Sequence, residues 1–476
     1  MKFRLFAFVA VLAVAAAASA QQAPAPDKKD EKPKWDVANP PGVTTRAVPI
    51  NVEEGTWMNV DVSPDGRTIA FDLLGDIYTI PVPGGTATRI AEGIPFEMQP
   101  AFSPDGTKIA FTSDRGGGDN IWIMNVDGSD KRQLTEEKFR LLNEPTWSKD
   151  GNFIAARKHF TTQRSLGTGE IWMYHVGGGD GVLLVKRSSE ALQKELGEPE
   201  FTPDGTGIYY TRNVSPGNTF QYAQDSNASL FEIERYDIAD GEVYTAVSGA
   251  GGAVRPTPSP DGKQLAFVRR ERGKSKLYVK DLVSGDITKF YDALDQDMQE
   301  TWAVHGVYPT MDWMPDSKSL VFWAGGKIRR VDLAGASSVI PFRVSDTRAV
   351  IDPPRPQVAV APDTFQTKMP RYASVSPDGK LAVFESLGRL YVKALPDGTP
   401  RRLTRGTGQE LELFPSFSRD GRSIVFVEWT DEALGQIRPD RRTGYPTAGF
   451  RLSPSRTRWS CRRARSADGD SGPAAG

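Results

Sequence analysis

Histidine and cysteine are nearly missing from this chain. Its 476 residues hold one cysteine, Cys461, and three histidines, His159, His175 and His305. One thiol cannot close an internal disulfide. The histidines form no His-x-His or His-Glu-x-x-His motif and no Cys/His cluster, so the usual metal-ligand spacings are excluded. A lone histidine on an apolar strand, as in Trp172-Met173-Tyr174-His175, is expected to be structural. No Gly-x-Ser-x-Gly nucleophile elbow occurs in the body of the chain. Gly116-Gly117-Gly118-Asp119-Asn120 lacks the Lys-Ser/Thr ending of a phosphate loop and is expected to be a loop tip. No catalytic, cofactor-binding or metal-binding residue is assigned, and no cofactor is expected in this chain.

A charge surplus is missing too. Lys plus Arg number 59 and Asp plus Glu 60, leaving a net charge of −1. Without a basic excess or a basic amphipathic helix, neither nucleic acid nor a membrane surface is an expected partner. Long apolar runs are confined to the first twenty residues. Lys2 and Arg4 precede an apolar stretch from Leu5 to Ala17, and Ala18-Ser19-Ala20 offers a small-residue cleavage site. Residues 1–20 therefore predict a signal peptide, too short to span a bilayer comfortably. The mature chain is expected to begin near Gln21, to carry no membrane span, and to be periplasmic or secreted. Residues 21–45, rich in proline and charge, predict a disordered linker.

What the chain does have is a phrase that returns eight times. Ser63-Pro64-Asp65-Gly66 recurs as Ser103-Pro104-Asp105-Gly106, Ser148-Lys149-Asp150-Gly151, Thr202-Pro203-Asp204-Gly205 and Ser259-Pro260-Asp261-Gly262. It follows as Met314-Pro315-Asp316-Ser317, Ser376-Pro377-Asp378-Gly379 and Ser418-Arg419-Asp420-Gly421. Proline presets φ, aspartate caps nearby amides, and glycine supplies the positive φ that closes a turn. The spacings of 40, 45, 54, 57, 55, 62 and 42 residues mark a repeat architecture. Bulky β-formers such as Phe102, Trp147, Phe201 and Trp313 stand four residues before the turn ends. Short apolar runs such as Ile109-Ala110-Phe111 follow it, and then a third strand such as Ile121-Trp122-Ile123-Met124. The small middle residue lets neighbouring sheets approach closely.

Four antiparallel strands per unit, repeated about eight times, predict an all-β fold. The expected fold is a seven- or eight-bladed β-propeller of four-stranded blades over residues 46–437, with the last blade incomplete. Either Val48-Pro49-Ile50-Asn51-Val52 or Trp57-Met58-Asn59-Val60 is expected to lend a strand to the last blade. The text changes after Arg438, and the β periodicity stops. Residues 438–476 predict a disordered tail with the character of a shifted reading frame. Within it, Gly469-Asp470-Ser471-Gly472-Pro473 resembles the serine neighbourhood of trypsin-like proteases, without a barrel or a suitable histidine to support it. Off-pattern insertions, Asn218-Thr219-Phe220-Gln221-Tyr222 and Met298 to Tyr308, are the candidate functional segments, because loops on a rigid scaffold carry function.

The stretch from Ser103 to Arg115, with Ile121 to Gly128 and Gln133-Leu134-Thr135, resembles the TolB-type (PD40, WD40-like) propeller repeat. Residues 54–66, soon after a signal peptide, are similar to the opening of the propellers that precede secreted bacterial metal-dependent amidohydrolases. That resemblance implies a non-catalytic part that gates access or binds a protein, peptide-like or small-molecule partner at a propeller face or channel. A divalent metal such as zinc would belong only to a hydrolase domain absent here. A stand-alone periplasmic scaffold akin to TolB is the second reading. The propeller of a prolyl-oligopeptidase-like or tricorn-like peptidase is the third.

Overall fold

The computed structural model describes residues 34–161, 167–222, 224–352, 360–406 and 408–440. The expected signal peptide, the linker up to residue 33 and the tail beyond Asp440 lie outside the described residues. Every regular element among the described residues is a β-strand, so none is a helix long and apolar enough to cross a membrane. All eight turn phrases head a sheet. Seven sheets have four strands in chain order, and the eighth has three. The expected incomplete last blade is therefore present, with its third strand at Leu434–Asp440.

The turns form for the expected reasons and one more. The closing glycines have φ near +70°, among them Gly66, Gly106 and Gly262, and Ser317 holds φ 57° where glycine is replaced. The leading serine proves to be the organiser. Ser103 Oγ donates to Asp105 Oδ1 at 2.6 Å and accepts from the Lys108 amide at 2.9 Å. The same pair recurs at Ser63, Ser148, Thr202, Ser259, Ser376 and Ser418. These bonds hold the turn aspartates' carboxyls below their ordinary range, with the serine or threonine bond as the main cause.

The chain divides into two compact units, Met1–Pro354 and Arg355–Gly476. In the first, the inner strands are Val60–Val62, Glu97–Phe102, Leu141–Trp147, Leu196–Phe201, Val254–Pro258 and Asp312–Trp313. Each touches the next, and the sixth touches the first, so the ring closes after six blades. The Val60 amide meets Thr310 O at 3.3 Å across the closing joint. Eight hairpins thus yield a closed six-bladed propeller plus two further sheets, not one ring of seven or eight. The reason lies in the side chains that join inner strands, described below, which the first six repeats carry and the last two lack.

The N-terminal strand goes elsewhere than expected. Thr45–Val52 pairs antiparallel with Phe342–Ile351, the strand that follows the sixth sheet, and not with the last blade. Phe342–Ile351 also runs parallel to Gly85–Thr86, a short strand between the third and fourth strands of the first sheet in chain order. This three-stranded strap joins the two ends of the ring from outside. The core lies between blades. Ala70, Ile77 and Ile90 of the first sheet pack on Phe102, Ile109 and Phe111 of the second, and the joint repeats around the ring.

Candidate binding channel

Four of the six inner strands carry a β-bulge whose first residue has positive φ. These residues are Gln99 (56°), Glu144 (59°), Glu198 (55°) and Arg255 (55°). A left-handed backbone at a non-glycine residue costs about 1–2 kcal/mol, so each bulge needs a compensating contact. A proline follows each one, which fits a site where no ladder amide is required. The bulge turns the residue's own amide toward the preceding blade, and the preceding blade's side chain accepts it.

The result is a chain of inter-blade bonds around the axis. Asp72 accepts the Gln99 amide at 2.9 Å, and Gln99 accepts the Glu144 amide at 2.9 Å. Glu144 accepts the Glu198 amide at 2.8 Å, and Glu198 accepts the Arg255 amide at 2.6 Å. Asn59 accepts the Thr310 amide at 2.9 Å and closes the circle. The Arg255 guanidinium lies inside the ring, 2.9 Å from Glu144 and 3.1 Å from Glu198, with all three side chains buried. Burial of this network holds two carboxylates and one cation in a space where an unpaired charge would be severely destabilising.

The candidate insertion lies on this ring. Residues 303–308 run across the channel and plug it. Gln99 donates to His305 O at 2.9 Å and Asn143 to Val304 O at 3.0 Å. Glu198 accepts from the Val307 amide at 2.7 Å, and Arg255 donates to Tyr308 O at 2.8 Å. A Cβ at Gly306 would stand 2.1 Å from Arg255 Nη2, so only glycine fits there. His305 faces Asp119 at 2.9 Å and is the exposed end of the plug.

The plug separates two cavities. On the side of the repeated turns is a mouth of about 370 Å³, ringed by the turn prolines and lined by Asp61, Glu200 and Asp312. Burial and the nearness of Asp312 push the Asp61 carboxyl well up, while burial raises Asp312 to about 7 and Glu200 to about 8. Asp61 accepts the Phe102 amide at 2.6 Å, and Asp312 accepts the Val62 amide at 3.0 Å, so these carboxyls also join blades. On the other side is a pocket of about 610 Å³, walled by Trp57, Leu74, Phe96, Met98, Met298 and Trp302. Thr56, Asn59, Asp72 and His305 are its polar members. Phe96 and Leu74, 52% and 58% exposed, stand at its rim.

Beside the plug is a buried polar group. Arg157 Nε lies 2.6 Å from Glu195, and Arg157 Nη2 lies 3.1 Å from His159 Nδ1. An arginine only donates, so His159 Nδ1 accepts and its proton sits on Nε2. Burial and the Arg157 charge push the His159 imidazole down to about 3, and burial lifts Glu195 to about 7 despite Arg157. Trp302 packs edge-on against His159 at 5.4 Å.

The structure sorts the residues singled out from sequence. Met298, Trp302 and His305 meet at the plug and its pocket. Asn218-Thr219-Phe220-Gln221-Tyr222 does not join them; Asn218 O accepts the Gln193 amide, and Phe220 packs on Tyr222 at 4.9 Å. His175 packs edge-on against Phe153 at 5.3 Å, away from the channel. Among the described residues no three or more His, Cys, Asp or Glu side chains are placed to hold a metal ion. Sequence reasoning missed Asn59, Gln99, Glu144, Glu198, Arg255 and Thr310. They all stand four residues before the first residue of the turn phrase, and that run of polar side chains was the available signal.

Residues 43–219 match the family model PD40, described as the TolB beta propeller domain. The Tol-Pal system protein TolB of Francisella tularensis subsp. mediasiatica (strain FSC147) is 29% identical over 240 residues, covering 48% of this chain and 48% of that protein. The chain thus spans about half the length of the curated relatives it matches. Among solved structures, TolB from Acinetobacter baumannii is 18% identical with a TM-score of 0.45, covering 61% of this chain and 64% of that one. The tricorn protease is 16% identical with a TM-score of 0.44, covering 82% and 36%. The repeats are TolB-like β-propeller repeats, as the residues between Ser103 and Thr135 imply.

Proposed function

We propose that this chain is an exported propeller binding module. Its first unit takes an apolar side chain of a protein or peptide partner in the pocket of Trp57, Phe96 and Trp302. One observation carries the reading: an apolar pocket of about 610 Å³ whose floor is the plug. Apolar walls with a few convergent polar groups on a stiff frame are the features of a binding site. The buried ion pairs under the plug supply the stiffness, so little ordering is needed on binding. A relative that acts in a Tol-Pal system supports a protein partner over a small molecule. Export rests on residues 1–20. Attachment to a metal-dependent amidohydrolase, the finer form of the proposal, rests on the resemblance of residues 54–66.

Panning a displayed peptide library against the mature chain tests the reading. Recovered peptides should carry an aromatic or aliphatic anchor and should change the tryptophan emission. Phe96→Ala and Trp302→Ala should each weaken them at least tenfold, as expected for a central anchor contact. Val339→Ala, on an outer strand, should not. Peptides that bind both pocket variants as tightly as the parent would sink the pocket as the site.

A further inference from the structure

A cleft of about 680 Å³ lies outside the channel, between the second and third sheets of the first unit. One wall is the segment from Arg132 to Glu137, and the floor is Lys158, Trp172 and Tyr174 of the third sheet. The turn from Gly177 to Gly181 forms the far side. The second sheet's last strand, Arg132–Gln133, has two residues where the third sheet's, Val182–Val185, has four, and the shorter strand leaves the room. The walls are held in place. Asn120 accepts the Glu137 amide and donates to the Glu137 carbonyl, both at 2.9 Å, and accepts from the Thr135 hydroxyl at 2.8 Å. Glu137 pairs with Lys158, whose ammonium lies 4.2 Å from the centre of the Trp172 ring. The Trp172 indole donates to Glu170 at 3.1 Å. Gly181 has φ +79°, and a Cβ there would stand 2.4 Å from Cε1 and 3.0 Å from Cζ of Tyr174, so the turn covers the hydroxyl end of that ring. Gly178 and Gly179 also hold positive φ, and a Cβ at either meets nothing within 4 Å.

One group in this cleft lacks a partner. Tyr174 is 2% exposed, and its hydroxyl makes no hydrogen bond. Burial, and after it the Glu137 charge, hold this phenol above its ordinary range, so it keeps its proton and can donate. A buried hydroxyl without a partner costs free energy, and a ligand that meets it recovers that cost. The charges of the lining decide the ligand's class. Arg132 and Lys158 face Glu136, Glu137 and Asp180, and the two least exposed of these, Lys158 and Glu137, already neutralise each other. A charged ligand of either sign therefore meets a like charge. A ligand hydroxyl both donates and accepts, and so suits a phenol beside a carboxylate. We propose that this cleft is a second binding site and takes a neutral sugar. Its hydroxyls accept from Tyr174 and donate to Glu137, and its C–H groups lie against Trp172. Entry needs a shift of the turn over Tyr174, which the glycines at 177, 178, 179 and 181 permit.

Saturation-transfer NMR on the full mature chain tests this with glucose, galactose and N-acetylglucosamine, beside glucuronate and glucosamine as charged counterparts. At least one neutral sugar should receive saturation, and more strongly than either charged one. Tyr174→Phe removes only the unpartnered hydroxyl and keeps the ring, so the variant should fold as the parent does. It should weaken that sugar about fivefold, the loss of one hydrogen bond. Phe96→Ala, at the plug pocket, should leave the sugar's affinity unchanged, and Tyr174→Phe should leave peptide binding at that pocket unchanged. The absence of transfer to all three neutral sugars overturns the proposal. Equal affinity in Tyr174→Phe and the parent overturns it too, as does a preference for a charged sugar. Loss of the sugar in Phe96→Ala would place it in the plug pocket and overturn the cleft as its site.

Discussion

The same turn phrase heads six sheets in one unit and two in the other, yet four residues upstream the units differ. In the first unit that place holds Asn59, Gln99, Glu144, Glu198, Arg255 and Thr310. In the second it holds Tyr372 and Phe414, again with positive φ at 52° and 54°. The polar side chains pass hydrogen bonds from blade to blade and anchor a plug. The two aromatic rings lie 4.3 Å apart and are 44% and 50% exposed. The turn phrase is thus a device for making a sheet. The residue upstream is a device for joining sheets about an axis, and the two are independent. A blade can fold without the joining residue, because its hairpin bonds are local, but a closed ring needs a partner for every inward amide.

The sharpest way to break this comparison is Arg255→Met. It leaves Glu144 and Glu198 buried without their cation, and loss of one partner of a buried pair costs about 3–5 kcal/mol. Hydrogen exchange at the Glu144, Glu198 and Arg255 amides should rise steeply. Tyr372→Ala at the matched place should change stability by no more than about 0.5 kcal/mol, as for other exposed positions. If the two variants behave alike, the upstream residue has no special part in closing the ring.

A smaller effect is expected at the turn itself. Gly106 has φ 69°, and Gly106→Val should lower stability by about 1–2 kcal/mol through backbone strain alone. A Cβ at Gly118, in a surface loop, meets nothing within 4 Å, so Gly118→Ala is the control. Thermal unfolding of Gly106→Val beside Gly118→Ala should therefore separate them, and equal midpoints would refute the turn's strain. The equivalent change at Gly379 in the second unit, φ 73°, should have the same effect, because the turn is common to both units.

The mouth carboxyls of the first unit add a pH dependence. Glu200 and Asp312 hold their protons to about 8 and 7 in the folded chain, where an unfolded chain releases them near 4. The folded state then binds more protons across that window, so stability falls as pH rises from about 4 to 8. Glu200→Gln and Asp312→Asn remove the charge that burial opposes. Each should stabilise the chain at pH 8 and make little difference at pH 4, in urea titrations at the two pH values. A parent whose stability climbs between pH 5 and 8 at these sites would show that the mouth carboxyls are ionised without penalty.

Much of this was written locally. Serine, proline, aspartate and glycine set each turn, and alternation in Ile109-Ala110-Phe111 set which residues meet the neighbouring sheet. Those choices involve residues a few positions apart, so a linear reading recovers all eight hairpins and the all-β class. It also marks residues 298–308 as off-pattern. The number of blades in the ring, the pairing of Thr45–Val52 with Phe342–Ile351 and the seat of the plug were decided only in three dimensions. Each depends on partners one hundred to three hundred residues apart, such as Arg255 with Glu144 or Asn59 with Thr310. The fixed place upstream of each turn marks which residues do the joining, but not which partner each one meets. A glutamate in a strand looks the same in sequence whether it faces water or a buried guanidinium, and only the closed ring makes that distinction.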